Sequence, residues 1–324
     1  MTSGFSRSAL NRREALQYIA GITAGAATLL HSTPSASASA FDGEEFELRQ
    51  NDVKVEKLSE SISLLAGVGG NIAVLIGKEG TLQVDAGNPG TAPSVMKAIK
   101  EFTDKSVSTL INTHWHGDHT GGNEEMAKAG CRIFAHDNVR KRLGSDQFIE
   151  VFNRKIPASP ELALPILTFE TKMTLHHNGE ELHLIYAPPA HTDGDILVYF
   201  TKANVLHTGD LFFNGMYPFI DSSTGGWIGG MVKAADLILT VANEKTKIIP
   251  GHGPLGTREQ FKEYRDMLAQ VHERITPLVK SGKSPDEVVA AKSLADLDTK
   301  WGKGFMKPEG FIKIVHGGIK KYGM

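Results

Sequence analysis

Apolar positions recur along this chain at two spacings, and the spacings change in blocks. A two-residue period marks half-buried strands. It runs through residues 53–58, 61–66 and 71–76. Gly67-Val68-Gly69-Gly70 separates the last two, and Gly77-Lys78-Glu79-Gly80 reads as a hairpin turn into a strand over 81–87. Val95, Ala98, Ile99 and Phe102 then share one helical face, which predicts a helix over 92–104. A strand over 107–112, a helix over 123–129 and a strand over 130–135 follow. The second half is ordered similarly, with strands over 181–186, 195–200 and 203–208 and a helix over 228–242 carrying Met231, Ala234, Leu237 and Ile238. A short strand at 247–250 closes it. From Thr257 the spacing is helical. Phe261, Tyr264, Met267, Leu268, Val271 and Ile275 stripe a helix over 258–278, Ser284 caps a helix opened by Pro285, and 311–322 forms the last. Strands grouped around helices predict an α/β fold of two packed sheets with helices outside, its main domain at 41–256 and a helical C-terminal extension at 257–324. No internal repeat is evident.

The first forty residues read differently. Arg12-Arg13 precedes an apolar stretch from Tyr18 to Leu30, too short for a membrane span, and Ala38-Ser39-Ala40 offers a small-residue cleavage site. This resembles a twin-arginine signal peptide over 1–40, which implies a periplasmic or secreted protein, with no stable membrane insertion once the signal is removed. The net charge is −2 overall and +2 over the first forty residues, leaving −4 on the rest. That balance argues against nucleic acid as a partner. The single cysteine, Cys131, excludes an internal disulfide and a CxxC-type metal site, and reads as a core residue.

The chemistry concentrates in Thr113-His114-Trp115-His116-Gly117-Asp118-His119-Thr120-Gly121-Gly122. Imidazole and carboxylate ligands crowd a turn-like segment between a strand and a helix, and imidazole nitrogen with carboxylate oxygen suits Zn and its neighbours. Three further strand-end loops, rich in Gly or Pro, supply His191, Asp210 and His252. Trp115 is expected to pack beneath its loop, and His207 to be a strand residue. The remaining histidines lack ligand-like surroundings. No Gly-x-Ser-x-Gly elbow occurs, so no serine nucleophile is signalled.

The order His-x-His-x-Asp-His, His, Asp, His resembles that of the metallo-β-lactamase-fold hydrolases, over roughly residues 53–254. The resemblance implies an αββα sandwich as catalytic domain and two Zn2+ ions, with Fe or Mn as other occupants, sharing a hydroxide that attacks the substrate. It implies that His114, His116 and His191 hold one ion, that Asp118, His119 and His252 hold the other, and that Asp210 bridges them. Asp118 would also manage a proton, and Asp85 would orient a ligand. Asp210 stands where the best-known zinc β-lactamases have Cys, and Phe213 where they have a substrate-holding Lys. Those departures favour an ester, lactone or thioester as the small-molecule substrate. A β-lactam is the alternative, and an iron-dependent oxidoreductase is further off. The aromatic segment 211–227 is expected to wall an apolar pocket, with Tyr217 donating to an oxyanion and Phe148, Phe152 and 157–165 forming the opposite rim. Oligomeric state is not encoded legibly.

Overall fold

The computed structural model describes residues 53–324, so the signal-peptide reading lies outside the described residues. Seven strands form the first sheet, in the order β1-β2-β3-β4-β5-β6-β9. They are β1 (Lys54–Lys57), β2 (Ile62–Ala66), β3 (Ile72–Gly77), β4 (Gly80–Val84), β5 (Val107–Ile111), β6 (Arg132–His136) and, beyond a small hairpin of β7 (Gln147–Ile149) and β8 (Arg154–Ile156), β9 (Leu167–Phe169). The second sheet runs β10 (Lys172–His177), β11 (Glu180–Tyr186), β12 (Ile196–Phe200), β13 (Val205–His207) and β14 (Lys247–Ile249) in sequence order. The helices are α1 (Ala92–Lys100), the short α2 (Gly117–Thr120), α3 (Asn123–Lys128), α4 (Asp137–Leu143), α5 (Ile228–Val241), α6 (Arg258–Lys280), α7 (Pro285–Ala290), α8 (Ala295–Trp301) and α9 (Pro308–Tyr322).

Alternation along single strands builds the layers. In β12, Ile196, Val198 and Phe200 face a core shared with Ala73, Leu75, Leu82 and Ile111 of the first sheet, whereas Leu197 faces the opposite way. In β3, Ala73 and Leu75 join that inter-sheet core, and Ile72 and Val74 pack on α1 and α3 through Val95, Ile99 and Met126. Outside the second sheet, Leu197, Leu206 and Ile248 pack with Ile238 of α5, Phe261 and Leu268 of α6 and Phe311 and Val315 of α9. Helices therefore cover both outer faces of the paired sheets, as the αββα expectation required. The helices after Thr257 share that core with the second sheet. Pro277 sits within α6, which runs to Lys280. Both α6 and α7 open on complete capping boxes, Thr257 with Gln260 and Ser284 with Glu287. No helix among the described residues is long and apolar enough to cross a membrane.

Candidate metal centre

The candidate residues gather where strands of both sheets end. His114 and His116 lie just past β5, and Asp118 and His119 on α2. His191 lies between β11 and β12, Asp210 in the turn after β13, and His252 after β14. They form two groups, His114, His116, His191 and Asp210 in one and Asp118, His119 and His252 in the other, each with its potential ligand atoms within 4.8 Å of one another. Asp210 faces both. Its Oδ2 lies 3.3 Å from His191 Nε2 and 3.8 Å from His114 Nε2. Its Oδ1 lies 3.0 Å from His119 Nε2 and 3.4 Å from His252 Nε2.

Surrounding groups decide which nitrogen each ring presents. His191 Nδ1–H donates to the Phe219 carbonyl (2.8 Å). His119 Nδ1–H donates to Asp85 (2.8 Å), and His116 Nε2–H to Asp221 (3.2 Å). Thr113 spends its hydroxyl hydrogen on Asp85 (2.7 Å), so its oxygen accepts from His114 Nδ1–H (3.1 Å). The ring nitrogens left over from these bonds are His114 Nε2, His116 Nδ1, His119 Nε2 and His191 Nε2, and all face the centre of the cluster. His191 Nε2 and His116 Nδ1 stand 2.8 Å apart. In the neutral tautomers set by the Phe219 carbonyl and Asp221, these two nitrogens meet lone pair to lone pair, an arrangement that a cation between them relieves. His114 Nε2, His119 Nε2 and Asp210 Oδ1 are buried without a hydrogen-bond partner, which is costly unless a ligand answers them. The donor set thus fits metal ions of the nitrogen- and oxygen-loving kind.

Electrostatics divide the two groups. Burial pushes the His191 imidazole down to about 4 and holds that of His114 well below its ordinary range. Burial also opposes charge on His119 and His252, but the carboxylates of Asp210 and Asp118 outweigh it, raising His252 to about 10 and His119 well above normal. Asp118 and Asp210 are held well below the carboxylate range despite burial, because histidines surround them. Such a balance of buried imidazole and carboxylate charge marks a functional centre.

The backbone is shaped to the site. Asp85 adopts φ 65°, a strained left-handed conformation for a residue other than glycine. It also accepts from the Thr113 N–H (2.7 Å), so one carboxylate fixes His119 and, through Thr113, His114. A Cβ on Gly251 would fall 1.9 Å from Asp210 Oδ1, and one on Gly70 2.1 Å from the His119 ring. Only glycine allows these approaches.

Two positioning residues escaped the sequence. Asp221 orients His116 and is itself held by the Ser223 N–H and the Ser223 and Thr224 hydroxyls. An Asp followed by Ser and Thr is an ordinary turn signal, which hid it. Asn71 donates to the carbonyls of Pro250 and Gly253 (2.9 Å each), clamping the His252 loop across the sheets. Trp115 packs under its loop with Val139, Leu143 and Ile149 as expected. His207 is structural, donating to the Asn71 carbonyl (3.0 Å) and accepting from the Gly209 N–H.

The expectation for Tyr217 is corrected. Its hydroxyl donates to Asp298 (2.9 Å), its ring stacks on Phe311 at 4.3 Å, and it is buried. It anchors the C-terminal helices and offers no free donor to an oxyanion. Phe212 likewise packs on Phe261 and Tyr264. Of the expected aromatic wall, Phe213 stacks on His252 and Phe219 touches His116 and His191. The helical extension claims the rest.

A family model described as Metallo-beta-lactamase superfamily matches residues 65–268. A protein named as a probable metallo-hydrolase of Methanocaldococcus jannaschii is 30% identical over 201 residues, covering 60% of this chain and 93% of that protein. The hydroxyacylglutathione hydrolase of Rhodospirillum rubrum is 28% identical over 140 residues, 43% of this chain and 46% of its own length. The solved metallo-beta-lactamase from Pontibacter korlensis superposes with a TM-score of 0.56 at 20% identity, over 67% of this chain and 99% of that one, a likeness of fold.

Proposed function

The chain belongs to the metallo-beta-lactamase superfamily and is a metal-dependent hydrolase with a His/Asp metal cluster, and from that premise we propose that it is a dinuclear zinc enzyme cleaving an ester, lactone or thioester. The observation that carries this reading is the convergence of four imidazole nitrogens on a carboxylate whose two oxygens face separate groups. His114, His116 and His191 would hold one ion, Asp118, His119 and His252 the other, with Asp210 shared. Two ions so held supply Lewis acidity toward the substrate oxygen and make water acidic enough to react near neutral pH.

The chain's own residues do the rest. Asp85, Thr113, Asp221 and the Phe219 carbonyl keep each ring in the tautomer that presents a lone pair. Asp118 is the most exposed side chain of the seven, at 33%, with Oδ2 3.1 Å from His252 Nε2. It is the carboxylate placed to carry a proton between the site and water. Support for an ester-type substrate comes from the aspartate at 210 and the absence of lysine at 213, and from a relative named as a hydroxyacylglutathione hydrolase. The same reading takes residues 1–40 as a twin-arginine signal cut after Ala40, placing the mature enzyme in the periplasm or outside. Cell fractionation with N-terminal sequencing tests it, and uncut protein in the cytoplasm refutes it.

Elemental analysis of the purified protein, followed by a panel of esters, lactones, thioesters and nitrocefin, tests the chemistry. About two equivalents of zinc with turnover on the first three classes is the expected result. Iron in its place, or cleavage of nitrocefin alone, overturns it.

A further inference from the structure

Three phenylalanines from separate segments line up away from the metal ligands. Phe219 is fixed at the inner end, where its carbonyl accepts from His191 and its ring lies 5.6 Å from that of His116 and 5.8 Å from that of His191. Next comes Phe152, in the turn of the β7–β8 hairpin, 5.0 Å from Phe219. Phe305, between α8 and α9, lies 6.1 Å beyond it. The outer two are open to water, Phe152 at 37% and Phe305 at 73%, and Phe148 on the same hairpin is exposed at 44%. Large apolar rings exposed singly need no explanation, but a contiguous run of them marks a binding surface. Here the run begins in contact with two candidate metal ligands, so whatever it binds reaches the reacting centre.

We propose that this strip is the specificity subsite, and that the substrate is an ester-type compound bearing an aliphatic chain of about octyl size or an aromatic ring, its apolar part lying along Phe219, Phe152 and Phe305 while the scissile bond meets the metal centre. The proposal rests on the hydrolase reading for its chemistry, but not for its binding. Apolar burial is worth roughly a fourfold gain in affinity per methylene, so a chain seated on the strip separates sharply from a short one.

Two measurements test it on the metal-loaded protein. Calorimetric titration compares octanoate with acetate, which share a carboxylate and differ in the chain. Octanoate is expected to bind at least about tenfold tighter, the gap shrinking severalfold in Phe152→Ser and Phe305→Ser. Both rings are exposed, so these variants are expected to fold, and thermal melts check this. Val55→Ser, an exposed apolar position on β1, is expected to leave the gap intact. Equal affinities, or a gap untouched by the strip variants, overturn the subsite. Hydrolysis of ethyl acetate, ethyl octanoate, octyl acetate and phenyl acetate then shows which side of the bond carries the apolar group. The ratio of kcat/KM for the preferred long ester to that for ethyl acetate should collapse in the strip variants, and a ratio that stays put counts against the subsite. Failure to cleave any of them, with the octanoate gap and its loss intact, counts against the ester reading while leaving the subsite standing.

Discussion

Asp85 and Asp221 are the carboxylates on which the His114, His116 and His119 imidazoles depend. The left-handed backbone at Asp85 costs on the order of 1–3 kcal/mol, and what it secures is a carboxylate reaching Thr113 and His119 together. Asn tolerates that conformation, so Asp85→Asn should fold while losing the charge. Metal affinity is expected to fall about 10- to 100-fold, read by competition with a chelating dye, and Asp221→Asn should do the same through His116. Unchanged affinity in both would refute the orienting role. Cys131 makes the opposite case, a residue kept silent. Burial pushes its thiol up to about 12. The folded chain keeps a proton that the unfolded chain gives up near pH 9, so stability declines as pH rises from about 9 to 12. Native protein should resist iodoacetamide at pH 8.5 and take up one equivalent on unfolding. Rapid labelling of the native protein would contradict the burial.

At the level of elements, the loop after Asp210 serves two masters. Phe213 and Phe219 turn to the histidines, while Phe212 and Tyr217 turn to α6 and α9. Tyr217→Phe should therefore leave turnover unchanged and lower stability by about 1–2 kcal/mol, through the bond lost from Asp298, as measured by urea denaturation. A large drop in kcat without loss of stability would restore a catalytic part for it. The sequence could not separate these roles. An aromatic run after a ligand signals burial, but the partner that buries it lies some fifty or more positions on, in helices whose docking no local pattern encodes. The candidate ligands were legible for the opposite reason, since metal chemistry restricts residue type and spacing so tightly that the cluster from His114 to His119 stands out from the sequence. Some short elements went unseen, although β13, β14, α3 and α7 were read. The hairpin β7–β8 and the helices α4 and α8 are three to seven residues long, and too few turns or alternations fit in them to show a period.

On the scale of the whole molecule, the centre is a joint between the two sheets. The first contributes Asp85 and the histidines after β5, and the second contributes His191, Asp210 and His252. Ions bound there would add to folding stability by mass action, because the unfolded chain has no such site. Removing them with a chelator should lower the melting temperature by several degrees, and restoring zinc should recover it. An unchanged melting temperature would mean that the ions are not held by both halves. The layered architecture was readable from alternation, since Ile196 to Phe200 already distinguishes an inner from an outer face.

The bond from His207 to the Asn71 carbonyl joins positions 136 apart, and the clamp from Asn71 to Pro250 spans 179. Contacts of that reach form late, because the intervening chain must be brought to order before they reward it. The polypeptide should accordingly be a slow folder for its size, with its first-half histidines waiting, half-assembled, until the second half arrives. Any bottleneck in docking the sheets would then delay the appearance of the centre by as much as it delays the fold.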